Sequence, residues 1–342
     1  MGIKIGKRGV VVTHNKSRRR APAGGVFNLA PPPPPQPKFE PCDAAVYRIF
    51  HTDPKTWDGE FCVHCTGKTG ELLFLTGAIP SLRKHLPKAK LTLATQEHYR
   101  EFLKSTKHQF DAVLSLPQRH HELTQQVALC HQDYQNGFTL ENGKIIVNCY
   151  RAHGWPTIHK GWPVGSFYQC FTDAIGGYRS EYETPAWDDG VANERGEYVL
   201  ALPSLNHHSS PRRTLPVSES EWIQIADTYA RQGLACLATG HSQDPRPPMP
   251  GWTWIDCDLV EAVRLARYSR TTIAGNSGMA FVAGLLSRGQ VLIIDESPHR
   301  GHPSINARTM YAEIPEGKIK QVIADEHTLR SKPWIRLAKE LV

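Results

Sequence analysis

One tight turn, Gly275-Asn276-Ser277-Gly278, has the residue types and spacing to hold an anion. The run before it, residues 271–274, is β-compatible, and the apolar residues 279–286 after it permit a helix that Gly289 stops. Residues 291–294 then suit a buried parallel strand. The turn also supplies an N-cap, and the backbone N–H groups of Ser277, Gly278 and Met279 point out of a helix N-terminus, where partial positive charge favours a phosphate. The plainer alternative is a βαβ unit in which glycine and serine only make the turn.

A second glycine-rich loop, Gly67-Lys68-Thr69-Gly70, lies between a strand at residues 60–66 and the helix pattern that Glu71 opens. Its Gly-Lys-Thr order is not a P-loop, because the position of that motif's first glycine is Cys62. Cys62 and Cys65 have metal-like spacing, but on a strand their sulfurs project to opposite faces and no second pair follows, which favours structural thiols. The polar loop 204–216 brings His207, His208, Arg212 and Arg213 together; its histidines read as loop residues, and no metal is expected.

These loops need elements to position them. Strand patterns at residues 90–95, 111–116 and 144–148 alternate with helical ones at 71–84 and 97–104. Residues 150–195 lose periodicity and are rich in Trp, Gly, Pro and Tyr, as a functional surface or an inter-domain crossing would be. Periodicity returns with a strand at 198–203 and a helix that Ser218 and Glu221 open as a capping box and Gly233 closes. A strand at 235–239, a proline-rich loop at 240–252, a helix at 258–268 and a last amphipathic helix at 333–341 follow. The pattern predicts an α/β protein with two Rossmann-like doubly wound domains, residues 41–195 and 196–342, and ligands in the cleft at the strand C-termini.

Residues 1–40 form a separate arm, expected to be extended or disordered, that ends in the stiff run Pro31 to Pro35. The net charge is +7, yet residues 1–39 carry eight cations and no acid, so the remainder sums to −1. The basicity belongs to the arm, which suits contact with nucleic acid, an anionic surface or a protein assembly, or a solvated tail. No apolar run has the length of a membrane span, and no h-region follows the basic start. The eight cysteines are scattered rather than framed, which suggests a reducing, cytoplasmic setting.

Two segments together resemble the heptosyltransferase-like glycosyltransferases (glycosyltransferase family 9), which have the two-domain GT-B fold. Residues 66–93 are similar to that family's first strand–loop–helix, and residues 273–283 to its Gly-Asp-Thr-Gly-x-x-His-x-Ala stretch. Arg212-Arg213-Thr-Leu-Pro, before a helix bearing Trp222, is similar to its basic-Trp-Pro stretch. The resemblance implies Glu71 as general base in place of an aspartate, and Arg212 or Arg213 facing the donor diphosphate. It places Asn276, Ser277, Gly278 and Met279 at the phosphates, Gly240 and Asp244 at the donor nucleoside, and Gly67 to Gly70 beside the site. Two positions depart from the family: its aspartate is Asn276 here and its histidine is Phe281.

The implied activity is transfer of a sugar from a nucleotide-diphosphate donor to a hydroxyl acceptor, a saccharide or else a modified nucleic acid or protein. The nucleotide sugar is then a substrate, and no cofactor or obligatory metal is expected. The competing reading is a catalytically degenerate GT-B scaffold, tethered by its basic arm in a virion or a nucleic-acid assembly. Asn276, Phe281 and the arm favour the scaffold, whereas Glu71, Arg212, Arg213 and the Asn-Ser-Gly turn favour an enzyme.

Overall fold

A computed structural model describes residues 2–6, 9–13, 44–65, 69–116, 138–148, 183–191, 196–205, 213–241, 244–275, 277–296, 314–324 and 326–341. The chain divides into two compact units, residues 1–38 and 39–342. In the first, β1 (Gly2–Gly6) and β2 (Gly9–Thr13) pair antiparallel, with Gly2 opposite Thr13 and Gly6 opposite Gly9.

The second unit holds two sheets, each with its own lobe of helices. In chain order the first lobe has α1 (Ala44–His51), β3 (Glu60–His64), α2 (Thr69–Thr76), α3 (Ile79–His85), β4 (Lys90–Thr95), α4 (Arg100–Lys104), β5 (Ala112–Ser115), β6 (Phe138–Glu141) and β7 (Lys144–Asn148). Its sheet runs β5-β4-β3-β7-β6. All neighbours are parallel except β6 and β7, a hairpin turned by Asn142 and Gly143 at φ 50° and 75°. Asn-Gly is the preferred pair for such a turn, because both residues tolerate positive φ.

Residues 71–84 form two helices rather than the single one their pattern suggests. Pro80 lies in the first turn of α3, where its missing N–H costs nothing, but it cannot donate within a continuous helix. The Gly77 and Ala78 N–H groups instead close a turn on Phe74 and Leu75.

The second lobe has β8 (Tyr198–Leu202), β9 (Ser204–Leu205), β10 (Arg213–Thr214), α5 (Glu219–Ala230), β11 (Ala235–Ala238), β12 (Thr253–Trp254), α6 (Leu259–Tyr268), β13 (Thr271–Gly275), α7 (Gly278–Leu286), β14 (Gln290–Glu296), β15 (Ile319–Ala324), α8 (Glu326–Ser331) and α9 (Pro333–Glu340). Its main sheet runs β12-β11-β8-β13-β14-β15 and is parallel throughout. Local signals set several ends: the Ser218 N–H donates to Glu221 at 2.7 Å, Asp258 accepts from the Glu261 N–H at 2.9 Å, and Gly233 follows α5 at φ 75°.

The two lobes share one core. Leu72, Leu73 and Phe74 of α2 lie in the same buried cluster as Ala280, Phe281, Val282 and Ala283 of α7, and as Leu200 of β8. Each large apolar side chain in that cluster is worth about 1.5–3 kcal/mol of transfer free energy. The opposite face of the second sheet has its own cluster around Trp222, Tyr229 and Trp334. No helix among the described residues is long and apolar enough to cross a membrane.

Candidate functional site

Each parallel sheet reverses its winding direction once, and crevices for ligands form at such points, outside the strand C-termini. In the second lobe the reversal falls between β8 and β13, whose C-terminal residues Leu202 and Ala274 are register partners. The chain leaving β8 enters β9, which packs on β13 and pairs with β10 so that Arg213 stands opposite Leu205. The chain leaving β13 enters the turn into α7. The Arg213 backbone and the Ser277 turn thus share one end of the sheet; Arg212 and Asn276 lie outside the described residues, as do His207 and His208.

Ser277 is the N-cap of α7, with extended dihedrals (φ −144°, ψ 163°), and its hydroxyl accepts from the Ala280 N–H at 3.3 Å. The cap therefore satisfies the third N–H of the helix. The N–H groups of Gly278 and Met279 lie one turn too early to reach an intrahelical carbonyl, and both residues are only half-buried.

In the first lobe the reversal falls between β3 and β7, and β3 leads into α2. Thr69 and Gly70 are buried at the start of that helix, and Glu71 follows in its first turn. Gly67 and Lys68 lie outside the described residues. The first turn of α2 meets the first turn of α7: a Cβ placed on Gly70 would stand 3.1 Å from the Gly278 carbonyl oxygen. Two helix N-termini, one from each reversal point, therefore converge, and with them the positive ends of two helix dipoles.

Gly240 follows β11 at the same end of the second sheet. A Cβ there would meet Ser204 Oγ at 3.3 Å and Asp244 Oδ2 at 3.5 Å. The Asp244 carboxylate accepts from the His241 N–H at 3.1 Å while the Asp244 N–H donates to the His241 carbonyl at 2.8 Å. That reciprocal pair braces the loop, and it gives Asp244 a structural task beside the nucleoside contact the resemblance implies.

Sequence reasoning offered an inter-domain crossing within residues 150–195 but missed the residues that hold the lobes together. Residues 183–191, inside the aperiodic stretch, cross from one lobe to the other. On the first lobe, Trp187 bridges to Thr106, its indole donates to the Phe102 carbonyl at 3.1 Å, and the Asp188 N–H donates to Ser105 at 2.7 Å. On the second, Asp189 accepts from Arg264 Nε at 2.5 Å, Asp188 pairs with Arg267 at 3.3 Å, and the Arg267 guanidinium lies 5.8 Å from the Trp187 ring centroid. Burial pushes the Asp189 carboxyl up, but the Arg264 hydrogen bond and the Val191 N–H outweigh it and hold the group below its ordinary value of 3.8. The Asp-Asp-Gly turn at 188–190 was the available signal.

Other candidates resolve simply. Cys62 and Cys65 are buried, and burial raises the Cys62 thiol, as for structural cysteines. Among the described residues no group of three His, Cys, Asp or Glu is placed to hold a metal ion. A cavity of about 180 Å³ lined by Leu103, Phe110 and Val113 lies on the first lobe beside β5, at none of the loops just described.

No protein-family model and no curated protein sequence matches the chain. Solved structures do. The E. coli heptosyltransferase WaaC with ADP superposes with a TM-score of 0.51 at 9% identity, over 82% of this chain and 99% of that one. The same enzyme with ADP-2-deoxy-2-fluoro heptose gives 0.50 at 10% identity, over 82% and 98%. E. coli ADP-heptose lps heptosyltransferase II gives 0.49 at 12%, over 82% and 99%. At such identities the likeness establishes the fold: two α/β lobes in the GT-B arrangement of heptosyltransferases.

Proposed function

We propose that the protein transfers a sugar from a nucleotide-diphosphate donor to a hydroxyl acceptor. The observation that carries this reading is the contact between Gly70 and Gly278, which brings the helix start bearing Glu71 against the helix start bearing the Ser277 turn. In the proposed reaction the N–H groups of Gly278 and Met279, with Arg212 or Arg213, hold the donor diphosphate. The acceptor hydroxyl oxygen attacks the anomeric carbon, the bond from that carbon to the diphosphate oxygen breaks, and the hydroxyl proton passes to the Glu71 carboxylate. The developing negative charge on the leaving diphosphate would be met by these N–H groups and that guanidinium. Gly240 and the Asp244 loop bound the nucleoside, and a saccharide is the acceptor class that best suits the fold.

ADP, present with WaaC in the comparison, is the first nucleotide to test. A bound nucleoside diphosphate raises the melting temperature, and Glu71→Gln lowers turnover by about 10²-fold or more with donor affinity kept. Unchanged turnover in Glu71→Gln removes that residue from the mechanism. A second reading, a scaffold without turnover, is favoured by Phe281, which is 4% exposed in the shared core where the resembling family has histidine. Absence of any nucleotide-induced stabilisation across ADP, UDP, GDP and CDP would select it.

A further inference from the structure

Nothing stands between the backbones of α2 and α7 where they meet. A Cβ on Gly70 would lie 3.1 Å from the Gly278 carbonyl oxygen and 3.2 Å from its Cα. Both are main-chain atoms, so neither can rotate aside as a side-chain tip would. Nor can α7 recede freely: its own Ala280, Phe281, Val282 and Ala283 are buried, and the helix rests on β13 and β14. The lobes are pinned elsewhere by residues 183–191, through Asp189 and Arg264. A side chain at position 70 therefore acts as a wedge beside Glu71: a Cβ alone needs the Gly278 main chain to give by a few tenths of an ångström, and a larger side chain needs more.

We propose that Gly70 is a positioning residue for sugar transfer: its missing side chain seats α2 directly on Gly278 and so sets the separation between Glu71 and the diphosphate turn. This rests on the transferase reading above. It assigns Gly70 no contact with substrate, only control of the distance over which Glu71 must reach the acceptor hydroxyl. Alanine is a better helix former than glycine, so intrinsic propensity would work toward a more stable α2, and a loss of rate cannot be ascribed to a weaker helix.

The test compares Gly70→Ala and Gly70→Val with the full wild-type chain. ADP, UDP, GDP and CDP are titrated to find the nucleotide that binds, and release of that nucleoside diphosphate from its nucleotide sugar is followed with water or a saccharide as acceptor. Spin labels on non-natural residues at the exposed positions 88 and 224, one in each lobe, report lobe spacing. The expected result is a kcat lowered about tenfold in Gly70→Ala and about 100-fold in Gly70→Val, with donor KM within about twofold and a longer label distance in Gly70→Val. Wild-type kcat in both variants, or an unchanged distance in Gly70→Val, overturns the proposal. Should the wild type bind no nucleotide and release none, the transferase reading itself falls. The label distance then decides alone whether Gly70 sets the lobe separation.

Discussion

The Asp189 carboxylate, 5% exposed, accepts from Arg264 Nε at 2.5 Å, joining the segment that crosses between the lobes to helix α6 of the second. Arg267 stands behind it at 3.9 Å. A buried carboxylate is tolerable only because these guanidinium groups and the Val191 N–H at 3.2 Å surround it.

Asp189→Asn keeps the shape and an acceptor for Val191 but removes the charge. Arg264 is 34% exposed and can turn partly to water, which trims the loss from that of a fully buried pair. The expected cost is about 1–3 kcal/mol in denaturant unfolding. Trp187, packed beside Arg267, should report the same transition by its fluorescence.

Acid should weaken the second lobe through Glu221. Burial raises its carboxyl, but Lys332 at 2.6 Å and the Ser218 N–H outweigh this and hold it below its ordinary value of 4.5. A depressed folded pKa means the unfolded chain binds the proton first, so the stabilisation is complete above the unfolded value and is lost as pH falls through the folded one. Unfolding free energy should therefore drop below about pH 4.5. Glu221→Gln should lower the neutral-pH value by about 1–2 kcal/mol and flatten that acid slope.

Substitutions at Ser277 separate capping from ligand binding. Ser277→Ala removes the acceptor for the Ala280 N–H and should cost about 1 kcal/mol of stability. Ser277→Asp keeps a good cap, within about 0.5 kcal/mol, but sets a carboxylate against the proposed diphosphate. Nucleoside diphosphate binding by calorimetry should then weaken by more than about tenfold. Equal affinity in the aspartate variant would move the phosphates away from this turn.

Introducing the histidine of the resembling family at position 281 should not raise activity. Phe281 is 4% exposed inside the shared cluster, so Phe281→His places a polar ring among apolar neighbours. A loss of about 2–4 kcal/mol in unfolding free energy is expected, with no gain in turnover.

What the residues determine by themselves lies within a few positions along the chain. The capping box at Ser218, the stop at Gly233, and the strand–turn–helix ending in α7 are all legible because each depends on hydrogen bonds and dihedrals spanning about four residues. Asn142-Gly143 was equally local, yet the hairpin it turns was not anticipated, because β6 gains its meaning only from pairing with β7. The Ser277 turn, as a helix start after a buried strand, was likewise written in the chain.

Tertiary structure decided which of these pieces meet. Residues 71–84 carry an apolar pattern that reads as one helix, and the structure divides it at Gly77-Ala78, ahead of Pro80. Nothing local marks Gly70 as the residue that touches Gly278, or Asp189 as the partner of Arg264. Such contacts join residues far apart in sequence, and their strength comes from burial that exists only once both lobes have closed on a common core. The site's chemistry was therefore readable as residue types in loops, whereas the spacing between Glu71 and the Ser277 turn belongs to the folded pair of lobes alone.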